Sequence, residues 1–253
     1  MLKNTAKKRL TRCYNSYILR VEGITGYKMT TELQNSGDSF ITAPDVAYSI
    51  IVQKILDGEF PPGMQLSRRK MAEITNVSVI PVIEALKRLE EDGLVESKPK
   101  WGSYVTIPTV EKVSDSLEAR EAIECQIARI LSEKMTDEQF NELYQIAEEL
   151  DTVPYAENTV GPSRGAHLRF HRTLAEFSGN AMLKSMYERI NLFWILCNAL
   201  SVRAQHVEYP RYWHRKLMDD IRSGDPDKAE ASMREHVRDS KDRILESVRN
   251  RQY

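Results

Sequence analysis

Apolar residues recur at helical spacing along most of the chain after residue 43. Between Pro44 and Asp57, Val46, Ile50, Ile51 and Ile55 share one face, which predicts a helix ended by Gly58. From Ser67 to Gly93 the pattern predicts a short helix, a tight turn and a second helix. Ser67 and Ser78 stand where a serine oxygen accepts from the free N–H groups of a first helical turn. Asn76 suits a left-handed turn residue, and Gly93 stops the second helix. Leu94-Val95 and Tyr104 to Ile107 then predict two short strands around Lys98-Pro99-Lys100-Trp101-Gly102. Two helices joined so tightly form a helix-turn-helix, whose second helix enters a DNA major groove, and the basic hairpin after it is a wing.

From Val110 onward the pattern is helical throughout. A first long helix is predicted to about Lys134. Thr136 and Gln139 form a capping box for the next. Val153 to Pro162 is a loop, followed by helices over about Ser163–Ser178, Asn180–Arg203 and Val207–Arg222. Asp225-Pro226 starts the last helix, with Asp as N-cap and Pro at the first helical position. The expected fold is therefore mainly α, an N-terminal winged helix-turn-helix joined to a C-terminal all-α antiparallel bundle. Three regions are expected: a basic arm over 1–43, a winged helix-turn-helix over 44–108 and an all-helical domain over 109–253. Met29 offers an alternative start within the arm.

Composition adds limits. The chain has 253 residues, 41% hydrophobic and 29% charged, which suits a soluble globular protein. Three cysteines, Cys13, Cys125 and Cys197, lie far apart and suit a reducing cytoplasm. The longest apolar run, Leu192 to Leu200, is about half the roughly 20 residues that span a bilayer. Residues 44–108 carry 8 Lys and Arg against 9 Asp and Glu. Any DNA surface there must come from a one-sided arrangement of Arg68, Arg69, Lys70, Lys87, Arg88, Lys98 and Lys100; on charge alone a solvated face of mixed charge is the favoured reading.

All five histidines follow residue 166. His167 and His171 are four apart and in register with Leu174 and Ser178. His214 is in register with Leu217 and Ile221, and His236 with Ala229, Met233 and Ser240. Four inward histidines from three helices suit a Zn²⁺ or Ni²⁺ site or, equally, a buried polar network. The pair reads His-Leu-Arg-Phe-His and lacks the glutamate that a zinc protease uses as base, which disfavours a metal-dependent hydrolase.

The two halves together resemble a transcription regulator of the GntR family, in the FadR-like subgroup with an FCD ligand domain. In the first half the resemblance rests on the run from Gly58 to Ser67, Met71-Ala72-Glu73, Val77-Ser78, Pro81-Val82, Glu84-Ala85-Leu86 and the run from Leu89 to Val95. In the second it rests on Phe170-His171, Ser178-Gly179-Asn180, His214 seven before Ile221, Gly224-Asp225 and the run from Met233 to His236. The subgroup's metal site uses an aspartate and three histidines. His171, His214 and His236 match the histidines, and His167 stands in the aspartate's place. The resemblance thus implies an all-histidine site for a divalent metal with an anionic effector, such as a small carboxylate, in its open positions. Arg120 matches an arginine that can face the effector; a surface or interface role is the alternative.

The family pattern also has arginine where Val79 and Ile83 stand, while Arg69 matches a DNA-contacting arginine. The resemblance implies a non-enzymatic homodimer, a repressor more often than an activator, on a two-fold double-stranded DNA operator. Its contacts are expected from Arg68, Arg69, Ser78, Val79, Ile80, Lys87, Lys98 and Lys100. A degenerate regulator working through protein contacts is the main rival.

Overall fold

The computed structural model describes residues 42–152, 162–201 and 212–249. The basic arm, the loop over 153–161 and His206 lie outside them. The chain divides into two compact units, Met1–Ile107 and Pro108–Tyr253. Both are mainly helical.

In the first unit, helix α1 (Ala43–Leu56) starts at a reciprocal cap. The Thr42 hydroxyl accepts from Asp45 N–H, and the Asp45 carboxylate accepts from Thr42 N–H at 3.0 Å. Nearly all of α1 is buried, with Ala47 and Ile51 fully so. It packs on α2 (Arg68–Thr75) and α3 (Val79–Glu91), the two helices of the helix-turn-helix. Asn76 takes the left-handed conformation (φ 54°) between them. Met71 on α2 and Val82, Ala85, Leu86 and Leu89 on α3 form the inner face. Ser67 and Ser78 do occupy the N-cap positions, yet neither side chain makes the capping hydrogen bond expected of it. These two helices are held by packing rather than by serine caps.

The wing contains β2 (Val95–Lys98) and β3 (Gly102–Val105), paired antiparallel with Val95 opposite Val105 and Lys98 opposite Gly102. The strands thus begin one residue after Leu94 and end before Thr106. A third strand, β1 (Gln65–Leu66), pairs with the other edge of β3, giving the order β1-β3-β2. Two residues carry no readable period, so the sequence held no signal for β1.

The second unit contains α4 (Val110–Lys134), α5 (Asp137–Thr152), α6 (Pro162–Phe177), α7 (Ala181–Ser201), α8 (Trp213–Arg222) and α9 (Pro226–Arg249). Local caps define the starts. Thr136 and Gln139 exchange side-chain and backbone hydrogen bonds before α5, and Asn180 accepts from Met182 and Leu183 N–H before α7. Asp225 accepts from Asp227 and Lys228 N–H before α9. Helix α9 runs antiparallel along α4. Asp227 and Glu230 meet Arg129, Arg234 and Arg238 meet Glu121, and Lys241 meets Glu118. Such exposed pairs fix register more than they add stability. Stability comes from the core, where Ile127, Leu131, Leu143, Phe170, Leu174, Leu217 and Met233 interlock. Among the described residues α8 begins at Trp213, after a left-handed Tyr212 (φ 66°); the expected start at Val207 lies outside them. No helix among the described residues is long and apolar enough to cross a membrane.

Leu89 is fully buried at the centre of the reading unit. Replacing it with Ala should cost about 2–5 kcal/mol, read as a lowered urea midpoint. Ala at exposed Lys87 should shift the midpoint by less than about 0.5 kcal/mol. Equal effects would mean that the helix-turn-helix is not packed as described.

Candidate metal centre and nucleic-acid interface

Three helices of the second unit bring four histidines together. His167 and His171 project from α6, one turn apart; His214 sits in the first turn of α8, and His236 lies midway along α9. His167, His171 and His236 each offer a ring nitrogen within 4.8 Å of the others. His171 Nε2 and His236 Nε2 face each other at 3.2 Å. The His214 ring centre is 5.4 Å from that of His167 and 5.0 Å from that of His236. All four metal-ligand candidates therefore share one place, with His171, His214 and His236 buried and His167 half-buried.

Two carboxylates stand behind the rings. Glu124 Oε2 on α4 lies 2.6 Å from His171 Nδ1, and Asp151 Oδ1 at the end of α5 lies 2.9 Å from His214 Nδ1. An ionised carboxylate only accepts, so the His214–Asp151 hydrogen bond places that proton on Nδ1 and leaves the Nε2 lone pair for the centre, while Glu124 and His171 make a close carboxylate–imidazole contact. His214 Nε2 is buried and has no hydrogen-bond partner. Asp151 has a second task. Its oxygens accept from the backbone N–H groups of His214 and Arg215, each at 3.1 Å, and so cap α8 where Tyr212 cannot.

The electrostatics agree with this protonation pattern. Burial pushes the proton affinity of His171 down, against the opposing pull of Glu124. Burial takes His167 well below the usual histidine range, and the neighbouring rings take it further. Burial alone would raise both carboxyls. Arg120 and His171 hold Glu124 well below the usual range instead, and the His214 and Arg215 hydrogen bonds do the same for Asp151. The result is four imidazoles over two anionic supports, with His167 and His171 held neutral. Neutral nitrogen donors of this kind fit Zn²⁺ or Ni²⁺.

Arg120 is only 2% exposed, which removes the surface alternative for it. Its Nε donates to Glu124, so Arg120, Glu124 and His171 form one buried chain ending at the histidines. Glu124 and Asp151 were not singled out by the sequence. The i,i+4 spacing of Arg120 and Glu124 was a usable signal. For Asp151 there was none, since its partner is 63 residues away.

In the first unit, Arg68 and Arg69 are exposed at the start of α2, and Ser78, Val79 and Ile80 at the start of α3. Lys87 is exposed further along α3, and Lys98 and Lys100 on the hairpin, where Trp101 is 72% exposed. Arg88 is diverted. Its Nη1 donates to Asp45 at 2.7 Å, and its guanidinium lies 4.5 Å from the Tyr48 ring centre.

A winged helix-turn-helix and a separate helical unit with a polar centre, carried on one chain, are the architecture of a DNA-binding regulator with an effector domain. Residues 45–105 match the family "Bacterial regulatory proteins, gntR family", and residues 115–239 match "FCD domain". The chain belongs to the GntR family of bacterial transcription regulators and carries an FCD effector domain. It is 28% identical over 207 residues to the HTH-type transcriptional repressor RspR of Escherichia coli K12, covering 80% of this chain and 87% of that one. It is 26% identical over 215 residues to the regulator LutR of Bacillus subtilis 168, covering 74% and 94%. The fold is shared with E. coli McbR/YncC (TM-score 0.65, 17% identity, 83% of this chain and all of that one). A GntR regulator of Rhodococcus sp. RHA1 shares it too (TM-score 0.63, 23% identity, 80% and 97%).

The depressed proton affinities of His167 and His171 carry a sign. The unfolded chain takes up these protons near the ordinary value of 6.5, before the folded chain does. Their contribution to stability is thus full above that pH and is lost as pH falls below it. Chelator-treated protein should show a falling thermal midpoint from pH 7 to pH 5, and His167→Gln should flatten the fall. A wild-type midpoint independent of pH over that range would contradict the assignment.

Proposed function

We propose that this regulator senses a small carboxylate at a divalent metal in its FCD unit and, as a homodimer, releases or engages a two-fold DNA operator in response. The observation that carries the reading is the meeting of four imidazoles, two of which set their Nδ1 atoms against Glu124 and Asp151, with His214 Nε2 left buried without a partner.

His167, His171, His214 and His236 would hold the ion. A divalent ion held there would keep its full charge, because neutral imidazoles supply none, and would favour an anionic ligand. Arg120 is buried behind this centre, its Nε donating to Glu124, which stands 2.6 Å from His171 Nδ1. A carboxylate entering the centre would compete with Glu124 for that guanidinium. That competition gives the effector a route to shift α4 against α6. A typical coupling between such sites is about 1–3 kcal/mol.

On the DNA side, Arg68, Arg69, Lys87, Lys98 and Lys100 would hold phosphates while the first turn of α3 faces the bases. A dimer presents two such helices to two half-sites. RspR is named a repressor, and we extend that sign to this chain, acting in the cytoplasm.

Protein purified without chelator or affinity-tag nickel should contain about one divalent metal per chain by elemental analysis. His171→Ala and His214→Ala should each lose it while keeping a helical circular dichroism spectrum. Metal retained in both variants would remove the assignment. On DNA from upstream of its own gene at low salt, the protein should give a gel shift that acetate, lactate or citrate alters only when metal is bound. Arg69→Ala should weaken the shift across sequences and lower the salt dependence by about one phosphate contact. No shift at low salt would end the DNA-binding reading.

A further inference from the structure

The second helix of the reading unit opens with apolar side chains that nothing in the unit covers. Val79, Ile80 and Ile83 are 38%, 69% and 40% exposed, whereas Val82, Ala85 and Leu89 of the same helix are fully buried. Spacings of one, three and four place the three exposed residues on one face of the first turns. Little there can read a base edge by hydrogen bonding. Besides Ser78 at the cap and Lys87 two turns further on, Pro81 has no N–H, Glu84 can only accept, as from a cytosine amino group, and Arg88 is bound to Asp45 and stacked on Tyr48. Cations are exposed on the same unit, with Arg68, Arg69 and Lys70 at the start of α2, Lys87 further along α3, and Lys98 and Lys100 on the hairpin; Glu73 and Glu84 are the exposed acids on these two helices before Lys87.

An apolar spot on a unit with exposed cations matches a polyanion that itself carries small apolar groups. Duplex DNA has one such group in the major groove. The base edges there present nitrogens and oxygens, and the C5 methyl of thymine is their single apolar feature. We propose that Val79, Ile80 and Ile83 read thymine methyl groups, so that this protein chooses its operator by methyl packing where arginine would read guanine. The inference rests on the reading that this unit binds duplex DNA. It assigns half-sites whose central positions are thymine-rich on the strand edges facing α3. Shape and charge set the register, and the methyl groups set the choice among sequences.

The test uses the full-length protein and a pool of random-sequence DNA duplexes, selected by retention and sequenced. Enriched duplexes should carry thymines at the centre of two half-sites. The best duplex is then rebuilt with deoxyuridine for thymidine at those positions, which removes the methyl and keeps every hydrogen-bonding group. Affinity should fall by about fourfold for each contacted methyl, the equivalent of one buried carbon. Deoxyuridine outside the half-sites should change nothing. Ile80→Ser, at a site too exposed to disturb folding, should bind the thymine duplex more weakly and respond less to deoxyuridine than the wild type does. Equal binding of thymine and uracil duplexes overturns the inference while leaving DNA binding intact. Failure of the pool to enrich any sequence overturns the underlying reading as well. An Ile80→Ser variant that binds DNA normally but dissociates a protein oligomer overturns the inference by assigning the face to a protein contact.

Discussion

A buried imidazole can point a lone pair inward only if its other nitrogen has somewhere to put a proton. That constraint organises the second unit. His171 meets it through Glu124, and Glu124 stays ionised in the core because Arg120 lies one turn before it on α4. His214 meets it through Asp151. Each histidine is thereby tied to a helix other than its own. The centre is a junction of α4, α5, α6, α8 and α9 rather than a feature of any one of them. A change at the rings can reach several helices without a long chain of intermediates, which is what an effector domain requires.

Asp151 shows how closely structure and chemistry are joined here. The same carboxylate orients a ring and caps the helix that carries it. Tyr212, in the left-handed conformation, supplies no side-chain cap, so the start of α8 depends on a residue from α5. Loosening His214 from Asp151 would fray the first turn of α8, and fraying that turn would release His214. The two events are one equilibrium. A ligand that changes the demands on His214 therefore acts on secondary structure directly.

The legibility of this chain follows from how local each signal is. The helix-turn-helix was legible because a left-handed Asn76, a terminating Gly93 and an apolar stripe through Val82 and Leu89 all lie within a few residues of one another. The histidines were legible because each falls on its own helix's inward stripe. The supporting acids were not, since Asp151 acts across 63 residues and has no periodic neighbour to betray it. The start of α8 at Trp213 was likewise unreadable, its cap being supplied from elsewhere in the chain. Strand β1 was too short for any period. Ser67 and Ser78 mark a different failure, in which residues of the right type reach the right positions and the expected hydrogen bond is still not made. Helix packing outweighs a cap worth about 1 kcal/mol.

The reading helix separates two duties that could have conflicted. Val82, Ala85, Leu86 and Leu89 face inward and carry the fold, while Val79, Ile80 and Ile83 face outward and contribute little to it. The 3.6-residue period keeps the sets apart, so the outward set is free to vary without loss of stability. Arginine in place of Val79 or Ile83 would be accommodated by the same scaffold, and so is the apolar set found here. The departure from the family pattern at these two positions is thus a change in what the helix can recognise and not a weakening of the helix. An apolar surface exposed for reading does carry a cost, because it also attracts other apolar surfaces. The exposed cations of the same unit limit that attraction by repelling a second copy of the same face, while drawing in a phosphate backbone.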